Sequence, residues 1–289
     1  SLIIRAHADL TVKPVIKYVG TSTSANVFKV LGSSKVIFDG LEIDGDGVAD
    51  GAADMAKYAI RFENTELTDI MTIRINDCFI HGYKEAILKP FSATIIDSFF
   101  VHNSILADAG KEGILFYSGS SSDPQVELDY AEVANCTFYN ITREAVKGDT
   151  NPNTKILVDH STFYNIGGNV DKPFIYVDDA LDVVVKNSVF QMNTESGNHI
   201  RLEDTTGSFV NNCVIWDVAD WDIDNATVTD TIHADPLFAD AANYDFSLGA
   251  LSPARTAGEG GTPAGDLRWA IDPNAKVLAV VTEGNGIVQ

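Results

Sequence analysis

The sequence predicts an all-β protein, a single-stranded right-handed parallel β-helix (solenoid) of roughly nine coils with long loop insertions. Three observations support this prediction. A short motif, (Asn/Asp/His)-x-x-(Phe/Ile), recurs along the 289-residue chain. A β-branched run such as MTIRI, DVVVK or ILVD, typical of a strand, lies before the copies of this motif. Patterns of helical periodicity are almost absent, so short strands at a regular interval dominate.

The recurring motif predicts one corner and one internal stack in each coil. Its first residues are Asn76, Asp97, Asn135, His160, Asn187 and Asn212. Its last residues are Phe79, Phe100, Phe138, Phe163, Phe190 and Ile215. When parallel coils stack at the strand spacing of about 4.8 Å, like residues lie above like. We therefore expect the first set to hydrogen-bond from coil to coil and the second set to form a stack inside the solenoid.

A second motif supplies another strand in each coil. It is written YKEAI at 83–87, GKEGI at 110–114 and TREAV at 142–146. Its inward aliphatic anchors are Ile60, Ile87, Ile114, Val146, Ile175 and Ile200. Because side chains alternate along a strand, the residues one and three positions after each anchor point outward. The nearer outward column is Arg61, Leu88, Leu115, Lys147, Tyr176 and Arg201. The farther column is Glu63, Pro90, Tyr117, Asp149, Asp178 and Glu203.

A row of cations lies three residues before the anchors, at Lys57, Lys84, Lys111, Arg143 and Lys172. The chain is acidic, with 41 Asp and Glu against 20 Lys and Arg, so composition does not explain this row. One interpretation is that the cations pair with Glu85, Glu112 or Glu144 and neutralise the stack. The other is a basic groove that binds the carboxylates of a uronic-acid polymer. Both interpretations stay open.

Composition limits the partners and the compartment. A formal net charge of -21 disfavours nucleic acid and anionic membranes as partners. No apolar run approaches the roughly 20 residues of a membrane-spanning helix. The cysteines Cys78, Cys136 and Cys213 are too few for a disulfide framework and are expected to be buried thiols. The opening SLIIRAHADL has no signal-peptide pattern, so export is neither indicated nor excluded there.

The segments INDCF, IIDSF, ANCTF, DHSTF, KNSVF and NNCVI, with the ending DPLFADAANYDFSLGALSPARTAG, carry a family resemblance. The chain resembles right-handed parallel β-helix proteins of the pectate-lyase-like superfamily over about residues 1–258. The opening VKPVIKY and VIFDGLEIDG are similar to domains of unknown function found beside polysaccharide-degradation genes in Bacteroidetes. This resemblance implies a secreted or cell-surface monomer whose partner is an acidic polysaccharide. It also makes the anchor strands the sheet over which such enzymes bind substrate.

Two regions are expected because the coil motifs end near residue 258 and a segment rich in Gly and Pro follows. Residues 1–258 form the β-helix domain, with insertions at 44–57 and 118–130 that we expect to form loops on its faces. Residues 259–289 begin with the link EGGTPAG and form a C-terminal cap or linker segment. A cap is favoured because a solenoid needs both ends covered.

Eliminative cleavage of a uronic-acid polymer needs a cation for the carboxylate, a base and a proton donor. Lys147, with Arg143, Tyr117 and Tyr176 around it, is the leading base candidate, and a tyrosine is the candidate acid. Lys89 competes because it is similar in position to a lysine of chondroitinase-B-like and alginate lyases. The companion arginine of that family would fall near Tyr117, so the chain departs from the pattern there. The candidate substrate-binding residues are Lys84, Lys111, Lys172, Arg201 and His199, the last on the rim of the groove.

Paired carboxylates of a hydrolase are a weaker alternative. Asp178 with Asp179, or Glu203 with Asp204, would supply them, but adjacent residues of a strand face opposite ways. A non-catalytic glycan-binding or cell-surface β-helix is the alternative from another class of function. It would need only the cations and the aromatic residues. The sequence does not separate this reading from the lyase.

The segment DGDGVAD places Asp44, Asp46 and Asp50 around Gly47, which permits a sharp turn. It resembles the calcium loops of thrombospondin-type repeats, and a Ca²⁺ site is therefore predicted. A solvated acidic loop is the alternative. A second candidate for Ca²⁺ is the acidic edge formed by Asp149, Asp178 and Glu203.

Overall fold

The computed structural model describes residues 1–32, 34–47, 54–66, 68–91, 93–117, 125–167, 172–193, 199–218 and 223–270. The described chain passes in turn through three sheets whose strands pair in parallel, with nine, nine and eight strands. The predicted all-β parallel β-helix of about nine coils is confirmed, and its right hand stays a prediction. Among the described residues, no helix has the length and apolar composition to cross a membrane.

The strands are numbered along the chain. Sheet A contains β1 (Leu2–Arg5), β4 (Lys35–Asp39), β7 (Met71–Asn76), β10 (Ile95–His102), β13 (Glu127–Ala134), β16 (Lys155–Asp159), β19 (Asp182–Lys186), β22 (Phe209–Asn211) and β25 (Thr227–Thr229). Sheet B contains β2 (Val15–Lys17), β5 (Glu42–Asp44), β8 (Phe79–Tyr83), β11 (Ile105–Ala109), β14 (Thr137–Ile141), β17 (Thr162–Ile166), β20 (Val189–Asn193), β23 (Val214–Val218) and β26 (Ile232–His233). Sheet C contains β3 (Asn26–Leu31), β6 (Tyr58–Glu63), β9 (Leu88–Pro90), β12 (Ile114–Phe116), β15 (Val146–Asp149), β18 (Ile175–Asp178), β21 (Ile200–Glu203) and β24 (Ile223–Asp224).

The segment after the last coil lies along the outer face of sheet B. It contains the antiparallel pair β27 (Phe238–Asp240) and β28 (Asp245–Leu248), and 3₁₀ turns at Ala241–Asn243, Pro253–Arg255, Glu259–Gly261 and Leu267–Trp269. Phe246 is fully buried there, and the Trp269 Nε1 donates to Thr137 Oγ1 at 2.8 Å. Residues 259–270 therefore pack on the side of the solenoid. The boundary at 258 stays a prediction, and residues 271–289 lie outside the described residues.

The anchor column of sheet C follows the predicted register except in one coil. The paired, fully buried residues are Ile60, Leu88, Ile114, Val146, Ile175 and Ile200. Leu88 takes the place expected for Ile87. Ile87 is also fully buried, because the residue before each anchor lies at a bend where side chains turn inward, as Ala59, Ala145 and Phe174 do. Because Ile87 and Leu88 are two consecutive inward residues, the sequence pattern did not show which of them is the anchor of this coil.

The expected phenylalanine stack forms in part. Phe163 lies between Phe138 and Phe190, with ring centroids 5.1 and 4.7 Å away and planes within 6° and 5° of parallel. Ile215 continues this column. The prediction was wrong for two members, which lie on outer faces: Phe79 pairs with Ile105, and Phe100 pairs with Arg74 and Glu132. In those coils the buried residues Ile80 and Leu106 of sheet B are in register with Phe138 and occupy the inward column instead.

Left-handed backbone marks the corner between sheets A and B. The corner residues are Asp77, Asn103, Asn135, His160, Asn187 and Asn212, with φ between 44° and 56°. Asn76 lies one residue before its corner but makes the expected hydrogen bond, since Asn103 Nδ2 donates to Asn76 Oδ1 at 3.0 Å; the corner prediction was wrong at Asp97. Asn and Asp tolerate this conformation better than other non-glycine residues, which explains their recurrence. The predicted amide ladder is present, since Asn135 Nδ2 donates to Asn103 Oδ1 at 2.7 Å.

The three cysteines directly follow corner residues and are buried thiols, as expected. Burial raises the pKa of Cys78 to about 11 and the pKa of Cys136 and Cys213 to about 12. These thiols are therefore packing groups of the interior.

Replacing Phe163 with Ala should lower the free energy of unfolding by about 3 to 5 kcal/mol, because it opens a cavity inside a ring stack. Urea denaturation of parent and variant measures the difference. Phe209→Ala is the control: its side chain is 47% exposed, and its effect should stay within about 0.5 kcal/mol. Equal effects of the two substitutions would show that the column is not internal.

Candidate functional site

The outer face of sheet C carries two aligned columns of functional side chains. The near column is Lys29, Arg61, Lys89, Leu115, Lys147, Tyr176 and Arg201. In the far column, Phe91 stands where Pro90 was expected, because its coil is shifted by one residue. The same shift turns Leu88 inward and brings Lys89 into the column of Lys147. The two base candidates thus lie on one face, two coils apart.

Lys147 lies between two tyrosine rings. Its Nζ is 5.5 Å from the ring centroid of Tyr117 and 5.3 Å from that of Tyr176, within the range of cation–π contacts. The Tyr176 hydroxyl donates to Glu203 Oε2 at 2.8 Å, and Arg201 Nε donates to Glu203 Oε1 at 2.7 Å. Four of the predicted site residues, Tyr117, Lys147, Tyr176 and Arg201, therefore form one continuous cluster.

Two buried glutamates lie beside this cluster. Lys147 Nζ is 3.6 Å from Glu144 Oε1, and Arg143 contacts both Glu112, at 3.1 Å, and Glu144, at 3.5 Å. Burial raises the pKa of Glu112, and the Arg143 charge opposes this effect. Arg143 is thus occupied by the protein's own carboxylates, whereas Lys147 has one carboxylate at a long distance and two aromatic faces.

The charges of the cation row are largely neutralised by glutamates of the protein itself. Lys57 and Lys111 contact opposite oxygens of Glu85, at 3.7 and 3.3 Å. The register places Glu85, not Lys84, in line with the row, again because this coil is shifted by one residue; Lys84 is exposed. Lys172 is half-buried. The pairs made by Lys57, Lys111 and Arg143 favour the interpretation in which glutamates neutralise the stack.

Lys89 is a buried lysine on a functional face. Its side chain is almost enclosed, with 3% of the residue exposed, and its ammonium donates to the Tyr117 carbonyl. The neighbouring Arg61 lies over the Phe91 ring, 3.6 Å from its centroid. Burial lowers the pKa of Lys89 to about 8, and Glu112 opposes this shift. Lys89 is the described lysine with a clearly lowered pKa, a property that suits a general base.

His199 does not lie on the rim of this face. It is 1% exposed, and its ring centroid is 6.2 Å from that of Phe174. The expectation was wrong because His199 occupies the bend before an anchor, the inward position already seen for Ile87. Its contribution is to the packing of the last coils.

The far column ends in the acidic edge expected from the sequence. Asp149, Asp178 and Glu203 pair in register. Burial raises the pKa of Asp149 and of Asp178, and the neighbouring carboxylates add to both shifts. The hydrogen bond from Tyr176 lowers the pKa of Glu203. An acidic strip therefore borders the cationic and aromatic column.

The predicted calcium residues lie away from sheet C, at the end of β5. Asp44 and Asp46 offer ligand atoms that lie within 4.8 Å of one another and of His81, while Asp50 falls outside the described residues. Gly82, with φ of 81°, permits the close approach of Asp46, since a Cβ there would lie 2.9 Å from its carboxyl. Sequence reasoning missed His81 because it joins the cluster from the next coil.

The cluster combines two carboxylates, one imidazole and a nearby ammonium. Lys17 Nζ lies 3.0 Å from Asp44, and burial raises the pKa of Asp46, with the Asp44 charge adding to the shift. Ca²⁺ prefers oxygen ligands, whereas an imidazole nitrogen suits transition metals. Calcium binding here stays a prediction.

Comparison with known proteins adds one match. A family described as "Domain of unknown function (DUF5123)" matches residues 156–269. The matched part contains Tyr176 and Arg201 and the segment along sheet B, but not Lys89, Tyr117 or Lys147. No curated protein matches the chain.

If Asp44 and Asp46 ligate Ca²⁺, the melting temperature should rise with added Ca²⁺ by mass action, and Asp46→Ala should abolish the increment. Thermal melts with Ca²⁺, with Zn²⁺ and with chelator measure this. Asp97→Ala, a change of an exposed carboxylate elsewhere, is the charge control. Identical melting of the parent in Ca²⁺ and in chelator would contradict calcium binding.

Lys89→Met should stabilise the protein most at neutral pH. The pKa of Lys89, about 8 when folded, lies below the ordinary value of 10.5, so the folded state binds fewer protons between these values. The ammonium is therefore fully destabilising below pH 8 and costs nothing above pH 10.5. Urea denaturation should show the variant's relative stability falling by up to about 3 kcal/mol from pH 7 to pH 10.5. A difference independent of pH would contradict the lowered pKa.

Proposed function

We propose that the outer face of sheet C binds an acidic, uronic-acid-containing polysaccharide and cleaves it by β-elimination. The observation that carries the proposal is the placement of Lys89, a lysine of lowered pKa, in the same outward column as Lys147, with Tyr117 in contact with both. The pectate-lyase-like resemblance of the coils supports the same reading. A secreted or cell-surface location belongs to this proposal.

Substrate binding rests on Lys147 and the two tyrosines around it. An ammonium has three donors, and Glu144 lies 3.6 Å from one side of Lys147, which leaves donors for a substrate carboxylate. Tyr117 and Tyr176 offer ring faces that exclude water on either side. Along the column, residues repeat at about 4.8 Å, a spacing suited to a polymer that runs parallel to the solenoid axis.

The chemical step uses Lys89 as the base. Its neutral amine takes the proton from the carbon beside the uronate carboxylate, while Lys147 neutralises the charge that develops on that carboxylate. The electron pair forms the new carbon–carbon double bond, and the glycosidic oxygen leaves. Tyr117 is the proton donor to that oxygen, since Tyr176 already donates to Glu203. In this proposal Lys89 is the base, and Lys147 binds the substrate carboxylate.

A non-catalytic glycan-binding protein is the second candidate. The observation that favours it is the small exposed fraction of Lys89, together with the internal pairing of Lys57, Lys111 and Arg143. Lys147, Tyr117 and Tyr176 would suffice for binding alone. The two candidates differ in one observable, the formation of unsaturated product.

Lys89→Met should lower turnover on the cleaved polymer by at least about 100-fold while binding is kept. Lys147→Ala should weaken binding and make it less dependent on salt. Near-ultraviolet absorbance of unsaturated uronate ends, on pectate, alginate and glycosaminoglycans, measures turnover, and gel retardation measures binding. Lys84→Ala, which removes an exposed lysine outside the column, is the matched control and should leave both unchanged.

The parent's turnover should also rise with pH through about 8, as Lys89 loses its proton. Binding without product on every polymer would replace the lyase with the non-catalytic candidate. Product formation unaffected by Lys89→Met but abolished by Lys147→Ala would assign the base to Lys147.

A further inference from the structure

A groove lies on a different face of the solenoid, the outer face of sheet A. It encloses about 230 Å³ between two outward columns of β1, β4, β7 and β10. One column places Arg5, Asp39, Asn76 and His102 in register. The other brings Arg74 and Phe100 together. We call this the sheet A groove.

The wall of the sheet A groove is the Phe100 ring, which contacts a partly buried group of polar side chains. The Arg74 guanidinium lies 4.2 Å from the centroid of the Phe100 ring. The His102 ring meets Phe100 edge-on, with centroids 5.6 Å apart. Glu132 fixes the far side, because it lies 3.0 Å from His102 Nε2 and accepts a hydrogen bond from Tyr130 at 2.7 Å. Phe100 and Arg74 therefore face outward from a supported position.

The two arginines of the groove make no ion pair with the described residues, although Asp39 lies beside Arg5 in the register. Within the described ranges, neither Arg5 nor Arg74 has a carboxylate within ion-pair distance, whereas Lys57, Lys111, Arg143 and Lys147 contact Glu85, Glu112 or Glu144. The groove's own carboxylate, Asp39, accepts a hydrogen bond from Asn76 Nδ2 at 2.7 Å. In a chain of net charge -21, two arginines that make no ion pair in the described part of the chain, beside one carboxylate that is hydrogen-bonded to Asn76, form a local site for an anion.

We propose that the sheet A groove is a second saccharide-binding site that takes one uronic acid unit. The planar guanidinium of Arg74, with Arg5 across the groove, matches the planar carboxylate of a uronate. The Phe100 ring, which lies under the Arg74 guanidinium, contacts the apolar part of the sugar with the surface that Arg74 leaves open. The volume is below that of sites for drug-sized ligands, which suits a single sugar unit.

This site is independent of cleavage on sheet C, because it uses other residues on another face. Its consequence for a long polymer is avidity: a chain held at both faces, or two chains held by one molecule, dissociates more slowly than either contact allows. A short oligosaccharide that occupies only one site would not show this gain.

The test is binding of a galacturonic acid trisaccharide, read at the groove itself. We would record the side-chain Nε–Hε signals of Arg5 and Arg74 by nuclear magnetic resonance during titration, with the neutral galactose trisaccharide and a sulfated trisaccharide as comparison ligands. The uronate should shift both signals and the neutral sugar should not. Arg74→Gln should weaken binding at the groove at least about tenfold.

Lys155→Gln is the matched control, since Lys155 is an exposed cation on the same face of sheet A, paired with Asp182 at 3.8 Å. It should change the affinity less than about twofold. Thermal melts should show both variants folded, because both side chains are exposed. Product formation on the trisaccharide should be the same in Arg74→Gln as in the parent, which separates this site from sheet C.

Three results would overturn the proposal: no shift of the arginine signals with uronate, equal shifts with the neutral sugar, or equal losses in Arg74→Gln and Lys155→Gln. Stronger binding of the sulfated sugar than of the uronate would overturn the carboxylate assignment. Arginine shifts with no unsaturated product on any polymer would support the groove while contradicting cleavage by sheet C.

Discussion

In-register pairing of parallel strands is the constraint on which the rest of this structure depends. Each strand is hydrogen-bonded to the same position of the coils above and below, so every coil must turn at the same place and present the same kind of side chain inward. Left-handed corners at residues such as Asn135 and Asn187, and stacked rings such as Phe138 and Phe163, are solutions to this one requirement. A shift of one residue exchanges the two faces of a strand, and β9 shows the consequence, because it buries Leu88 and turns Lys89 outward.

The same pairing brings like charges together. Their repulsion is offset by ion pairs at some positions and by shifted pKa values at others. On sheet C, buried or half-buried glutamates lie between Lys57, Lys111, Arg143 and Lys147 and balance them. The carboxylates of Asp149 and Asp178, stacked without a cation between them, have raised pKa values instead. Lys89 is the position where burial outweighs the nearby glutamates, and its pKa falls. Reactive groups are thus expected where stacking leaves charge incompletely balanced, which is also the condition of Arg5 and Arg74 on sheet A.

Much of the fold could be predicted from the sequence because short sequence motifs repeat once in each coil and so indicate the period of the coils. Alternating β-branched runs mark the strands, and the Asn-type corners of the later coils recur at nearly constant intervals. The misplaced positions have physical causes that one sequence does not display. Ile87 and Leu88 are both buried because bends admit two consecutive inward residues, and His199 is buried for the same reason. Phe79 and Phe100 occupy the motif position that predicts an inward side chain, but the register of their strands turns them to outer faces. His81 joins Asp44 and Asp46 only through coil stacking, a contact between distant parts of the chain.

The central claim is that the register of β9 places the Lys89 ammonium in an almost enclosed position on the outer face of sheet C, where we propose that it acts on substrate as a neutral amine. Direct titration of this group by nuclear magnetic resonance, following the side-chain carbon beside the ammonium with Lys89→Met to assign its signal, tests this most directly. The account predicts a midpoint near pH 8 and a change in that midpoint when an acidic oligosaccharide is added. A midpoint near the ordinary lysine value of 10.5, unaffected by any acidic saccharide, would contradict both the enclosed position and its proposed role.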